Sequence, residues 1–135
     1  MICIDNDVFS RYASERSYPN INEALSNHRE ETWLLPSVVL FEFLRYYDAH
    51  NTIDAKRLVA EDSVDTIAEM DADVATEAAN LESRLKTAGV SLALADLLIA
   101  ATARANGATL VTANKNDFDK TPIHQLMDVE TVSVG

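Results

Sequence analysis

At 135 residues the chain is long enough to bury the core of one domain and too short for two, so residues 1–135 are read as a single unit. Nearly half of it is apolar (47%), yet 22 acidic residues face 11 basic ones, a net charge of −11 with only four lysines, and that excludes a protein that coats nucleic acid through a broad basic surface. No apolar run approaches the roughly 20 residues of a membrane span, and the N-terminus carries no basic region with a cleavage signature, so a cytoplasmic protein is expected.

Acid-rich, lysine-poor composition also marks halophilic proteins, in which repulsion between charges is screened within about 3 Å at 1 M salt. The single cysteine, Cys3, has no intramolecular disulfide partner and reads as a small buried hydrophobe.

Along the chain, the apolar run Ile2 to Asp5 predicts a first strand, followed by a helix from about Asp7. A second helix begins near Asn20, where Ile21, Ala24 and Leu25 fall on one face. Trp33 to Leu35 is a short second strand. Pro36 and Ser37 then open a helix reaching Tyr47, with Ser37 as its expected N-cap. Another helix starts at Thr52, and Val64 to Ala68 forms a third strand. Asp71 caps a long helix that ends before Gly89 and buries Val74, Ala78, Leu81 and Leu85. Ala95 to Asn106 is helical and is stopped by Gly107; Thr109 to Val111 and Val129 to Val134 are the last two strands. Strands alternating with helices predict an α/β fold with a parallel sheet.

That fold dictates where chemistry collects. In a parallel α/β sheet, helices that follow strands start at the strands' C-terminal edge, and so do helices that feed strands, since they end at the opposite edge. Asp5 closes the first strand, and Asp96 opens the helix feeding the fourth. Glu42 lies about five residues into its helix, within about 8 Å of the edge at 1.5 Å per residue. Asp117 follows the fourth strand. Four carboxylates this close raise one another's pKa and cannot all stay ionised unaided. Mg²⁺ or Mn²⁺, one ion or two, removes the conflict, because these hard cations take carboxylate oxygens and retain waters that can attack phosphorus. Hydrolysis of a nucleic-acid backbone is the chemistry such a pocket suits.

The segments Ile4-Asp5-Asn6-Asp7-Val8, Ser37 to Arg45 around Glu42, Asp96 to Ala103, and Leu110 to Phe118 with Thr112, Asn114 and Asp117 resemble, in that order and spacing, the PIN domain. Within it they resemble the VapC-like ribonuclease toxins of type II toxin–antitoxin pairs. The resemblance spans nearly the whole chain. It implies a single PIN-like domain with a central five-stranded parallel sheet of order 3-2-1-4-5 flanked by helices, and a Mg²⁺- or Mn²⁺-dependent endoribonuclease. Asp5, Glu42, Asp96 and Asp117 correspond to its catalytic metal-binding acids, and Thr112 and Asn114 to positions that support them by hydrogen bonding. It further implies homodimerisation and inhibition by a cognate antitoxin. One departure is Asp7, where the family commonly has asparagine; it reads as a helix cap or an extra outer ligand.

Each residue has a plainer reading beside this one. Asp5 and Asp7 suit helix caps, Glu42 suits an ion pair with Arg45, and Asp117 sits where loop acids are common. His28, His50 and His124 lack metal-binding spacing and read as surface residues. Trp33 reads as core. Tyr46 and Tyr47 beside Arg45, and Lys115 and Lys120, are candidates for touching RNA. Two other functions fit parts of the pattern. An apolar strand followed by Asp-x-Asp-x-Val is also how haloacid-dehalogenase-like phosphatases begin, with the first Asp as nucleophile, although no lysine is well placed here. A PIN-like module that binds RNA or protein without cutting is the other.

Overall fold

The structure, a computed structural model, describes all 135 residues. In chain order it runs β1 (Ile2–Ile4), α1 (Asn6–Tyr12), α2 (Pro19–Ser26), β2 (Trp33–Pro36), α3 (Ser37–Leu44), α4 (His50–Ser63), β3 (Thr66–Ala68), α5 (Ala72–Thr87), α6 (Leu94–Ala105), β4 (Thr109–Thr112), α7 (Lys115–Phe118), α8 (Thr121–Leu126) and β5 (Val129–Thr131). The five strands form one parallel sheet in the order β3-β2-β1-β4-β5, as expected. β1 is central: Cys3 pairs with Leu34 on one side and Leu110 on the other, and all three of its residues are fully buried. A strand covered by helices on both faces can afford no polar side chain, which is why it reads as an unbroken apolar run. Cys3 belongs to this core, and its thiol is pushed up by burial and then by the Asp5 charge, so it is an inert side chain rather than a nucleophile.

The helices supply the rest of the core. On α5 the expected stripe of Val74, Ala78, Leu81 and Leu85 is buried, and it packs chiefly on α6, whose Ile99, Ala100, Ala101 and Ala103 have no exposure. The small residues of α6 let the two helices approach closely. Asp71 caps α5 by accepting the Val74 N–H at 2.9 Å. Both helices stop in left-handed glycines, Gly89 (φ +74°) and Gly107 (φ +65°), a conformation that any Cβ would strain. On α1 and α3, Phe9 and Phe43 meet edge to face with centroids 5.1 Å apart, a contact worth about 0.5–1.5 kcal/mol beyond its buried area. That pair fixes the spacing of the two helices carrying Asp7 and Glu42.

Several local expectations need correction. Pro36, not Ser37, is the N-cap of α3, and it offers no side-chain bond; Pro36 is instead the last residue of β2, so strand passes directly into helix. α3 ends at Leu44 rather than Tyr47, and α4 begins at His50, two residues early. β3 starts at Thr66, opposite Leu34, and β5 stops at Thr131, opposite the last residue of β4, Thr112; both are shorter than their β-branched sequences suggest. The short helices α7 and α8 were not anticipated.

Candidate active site

The carboxylates gather beyond the C-terminal ends of β1 and β4. Asp5 follows β1 directly and is 5% exposed. Its Oδ1 accepts the Asn6 N–H at 2.7 Å and its Oδ2 accepts the Thr112 hydroxyl at 2.7 Å. Asp5 is thus the N-cap of α1, and the capping role expected of Asp7 falls to it. Asp7 instead reaches across to the turn after β4, where its Oδ1 accepts the Ala113 N–H at 3.1 Å. The Thr112 hydroxyl accepts the Asn114 N–H at 3.1 Å while donating to Asp5, so one side chain ties the end of β4 to the end of β1. Asn114 caps α7 and exchanges two bonds with Asp117: its Nδ2 donates to Asp117 Oδ2 at 2.8 Å, and the Asp117 N–H donates to its Oδ1 at 3.3 Å. Asp117 therefore sits on a short helix held by a reciprocal cap, not in a loop.

Electrostatics shows how near these groups lie. Asp5 is pushed up to about 7, first by burial and then by Asp7, with Asp96 adding to it against the pull of Thr112 and Asn6. Asp7 is raised chiefly by burial. Glu42 is raised by burial, then by Asp96 and Asp7, with Arg45 opposing. Asp96 is raised by burial, then by Asp117 and Asp7. Asp5, Asp7, Glu42, Asp96 and Asp117 therefore share one field, in which Asp96 feels both Asp117 and Asp7. None of the five accepts an ion pair from lysine, arginine or histidine. The expected Glu42–Arg45 pair is absent; the Arg45 guanidinium lies 5.3 Å over the Phe41 ring.

This donor set, carboxylate oxygens without a counter-cation, suits a hard divalent ion. As the side chains stand, no three acidic, histidine or cysteine groups close to the spacing of one ion's shell. Glu42, Asp96 and Asp117 are each half-exposed.

The histidines stand elsewhere. His28 is more enclosed than a surface residue: its ring bridges Glu31, through Nδ1, and Glu130, through Nε2 at 3.0 Å. His50 and His124 are exposed and face Asp54 and Asp119. Trp33 packs on Tyr12 at the core's edge and donates its Nε1 to the His28 carbonyl at 2.9 Å. Lys115 donates to Ser133 Oγ at 2.8 Å. Sequence reasoning missed the Asp7–Ala113 bond, which joins residues 106 apart and leaves no local trace. It also missed the reciprocal cap, although Asn114-x-x-Asp117 spells one.

Residues 2–123 match the profile of the PIN domain family. Comparison with curated proteins gives no match. Among solved structures, VapBC2 from Rickettsia felis bound to a promoter DNA fragment is 20% identical and superposes with a TM-score of 0.76 over 98% of this chain and 100% of that one. VapBC-5 from Mycobacterium tuberculosis, a member of the VapBC family of toxin–antitoxin systems, is 25% identical with a TM-score of 0.61 over 98% of each chain. VapC20 of the same organism, a toxin that cleaves the sarcin–ricin loop, is 14% identical with a TM-score of 0.62, covering 94% of this chain and 96% of that one.

Proposed function

The chain belongs to the PIN domain family, and from that premise we propose that it is a divalent-metal-dependent endoribonuclease serving as the toxin of a toxin–antitoxin pair. The observation that carries the proposal is the cleft itself: five acids from four helices at one sheet edge, none neutralised by a basic side chain, with Asp5 held near 7 in the absence of a cation. A fold does not maintain such a cluster for stability, since it costs free energy unless a positive ion answers it. The likeness to toxin structures, among them one that cleaves RNA, supports the same reading.

Asp5, Glu42, Asp96 and Asp117 are the residues that would hold Mg²⁺ or Mn²⁺. Bound there, such an ion lowers the pKa of its water and offsets charge on the phosphate oxygens. The chain's own part is placement. The Thr112 hydroxyl and the Asn6 N–H aim the two Asp5 oxygens, the Asn114 amide aims Asp117, and the Ala113 N–H holds Asp7, whose charge acts on Asp5, Glu42 and Asp96. Asp7, Thr112 and Asn114 are positioning residues in this scheme. Exposed apolar side chains on α3 and α4, including Phe41 and Leu58, supply surface for an antitoxin or a second copy of the chain.

The phosphatase reading fares poorly. It asks for a lysine beside the nucleophile, and no lysine pairs with any of the five acids.

The test has two parts. Calorimetric titration with Mn²⁺ should give binding that Asp5→Asn and Asp96→Asn abolish. The same variants should lose Mn²⁺-dependent cleavage of RNA. Metal binding without cleavage of any RNA supports the non-catalytic module instead. Turnover of a small phosphate ester with RNA left intact supports the phosphatase. Growth arrest on expression, relieved by a small protein from the adjacent reading frame, is the outcome that makes the enzyme a toxin.

A further inference from the structure

The four cation–π pairs lie on α1, α3 and α4 and in the segments that follow α1 and α3. Arg11 and Arg16 lie 5.8 and 5.4 Å from the Tyr18 ring, Arg45 lies 5.3 Å from Phe41, and the Lys56 ammonium lies 5.3 Å from Tyr47. None of these four cations is neutralised by an ion pair, in a chain whose net charge is −11. Between α1, α3 and α4 opens a cavity of about 440 Å³ whose lining includes Ser10, Glu15, Phe43, Tyr46, Tyr47 and Lys56. Phe43 and Tyr47 are braced edge to face at 6.0 Å, whereas Tyr46 is 79% exposed and has neither an aromatic nor a cationic neighbour on its ring.

The cavity draws on the two helices that carry Asp7 and Glu42. Ser10 follows Asp7 by three residues on α1, and Tyr46 follows Glu42 by four just past the end of α3, so each lies about one turn, roughly 5.4 Å, beyond a carboxylate of the site. An unoccupied aromatic face, flanked by unpaired cations and adjoining a site for phosphodiester chemistry, has the composition of a single-strand stacking platform.

We propose that the α1–α3–α4 cavity is a nucleobase subsite: an unpaired base of an RNA strand stacks on Tyr46, next to the phosphate held at the carboxylates, while Lys56 and Arg45 meet the flanking backbone. This deepens the endoribonuclease reading and rests on it for the identity of the strand. The subsite takes an unpaired base, because a base held in a duplex cannot turn its face to Tyr46. Stacking is tolerant of base identity, so the subsite selects single-strandedness more than sequence.

The test uses the full chain with Mg²⁺ and the Asp96→Asn substitution, so that RNA stays intact, and measures anisotropy of a fluorescent single-stranded RNA decamer. Tyr46→Ala should weaken binding roughly 5- to 150-fold, the span that about 1–3 kcal/mol per stacked base represents, and Tyr46→Phe should restore it. A decamer with one abasic position should lose a similar factor when Tyr46 is present and nothing further in the Tyr46→Ala variant. In the otherwise unaltered enzyme, Tyr46→Ala should raise KM for an unpaired substrate and leave kcat within about twofold. Equal affinity of Tyr46→Ala and its parent for RNA overturns the subsite. So does loss of affinity confined to a protein partner, which makes the cavity a docking groove. Stacking with no cleavage by the unaltered chain in Mn²⁺ leaves the subsite standing and sinks the nuclease reading. Cleavage with no effect at Tyr46 does the reverse.

Discussion

Asp5→Asn should make the metal-free protein more stable at alkaline pH while destroying its activity. Asp5 titrates near 7 in the fold and at 3.8 in a free chain, so between those values the folded state holds a proton that the unfolded state has released. Stability from this group is complete below pH 3.8 and drains away as pH rises toward 7, after which the loss is constant. At roughly 1.4 kcal/mol per tenfold change in proton affinity, the ionised carboxylate costs the fold about 4 kcal/mol at pH 8 and about 1.6 kcal/mol at pH 5. Asparagine removes that cost but accepts only one of the two bonds Asp5 now receives from Asn6 and Thr112. Losing the other subtracts about 1–2 kcal/mol. The expected net gain is about 2–3 kcal/mol at pH 8, a rise in Tm of roughly 10 °C for a chain of this size, and close to nothing at pH 5. Thermal and urea unfolding in EDTA at the two pH values measure it. Mn²⁺ should then stabilise the parent and leave the variant unchanged. A variant no more stable than its parent at pH 8, or equally shifted at both pH values, refutes the claim that Asp5 is held against its own charge.

Asp96→Asn should lower Mn²⁺-dependent cleavage roughly 100-fold or more while circular dichroism stays unchanged, since Asp96 is half exposed and caps nothing. Thr112→Val should cost about 1–3 kcal/mol in urea unfolding, because it strands an Asp5 oxygen and the Asn114 N–H, and Thr112→Ser should restore both stability and cleavage. Removing the hydroxyl also removes a bond that lowers Asp5, so the pH at which metal binds should move upward in calorimetry. His28 is lowered by burial, but Glu31 and Glu130 more than offset this and its pKa is raised overall, so the stability it lends is present below 6.5 and is lost as pH climbs through the raised value. His28→Gln should flatten that part of the stability profile; an unchanged profile between pH 6 and 9 contradicts the bridging role.

The legible part of the molecule was the part written in periodicity. β1, the stripe on α5 and the glycine stops of α5 and α6 all appear where the sequence places them, because burial and backbone conformation there are local constraints. The edge where Asp5, Glu42, Asp96 and Asp117 stand followed from strand direction alone. What escaped was decided by partners. Whether Asp5 or Asp7 caps α1 depends on which of them the β4 turn claims, and Ala113 lies 106 residues from Asp7. Residues 115–126 looked like loop because two turns of helix interrupted by Asp119 and Lys120 are too short to show a period. His28 looked superficial because Glu130, which encloses it, comes from the last strand.

The central position of β1 sets an order of events. Its neighbours are β2 and β4, one supplied early in the chain and the other only after residue 108, and the acid at position 117 comes later still. A ribosome must deliver the chain past residue 117 before the first strand can be flanked on both sides and the carboxylates can face one another. A product that stops short of Asp117 lacks one of the acids at that edge.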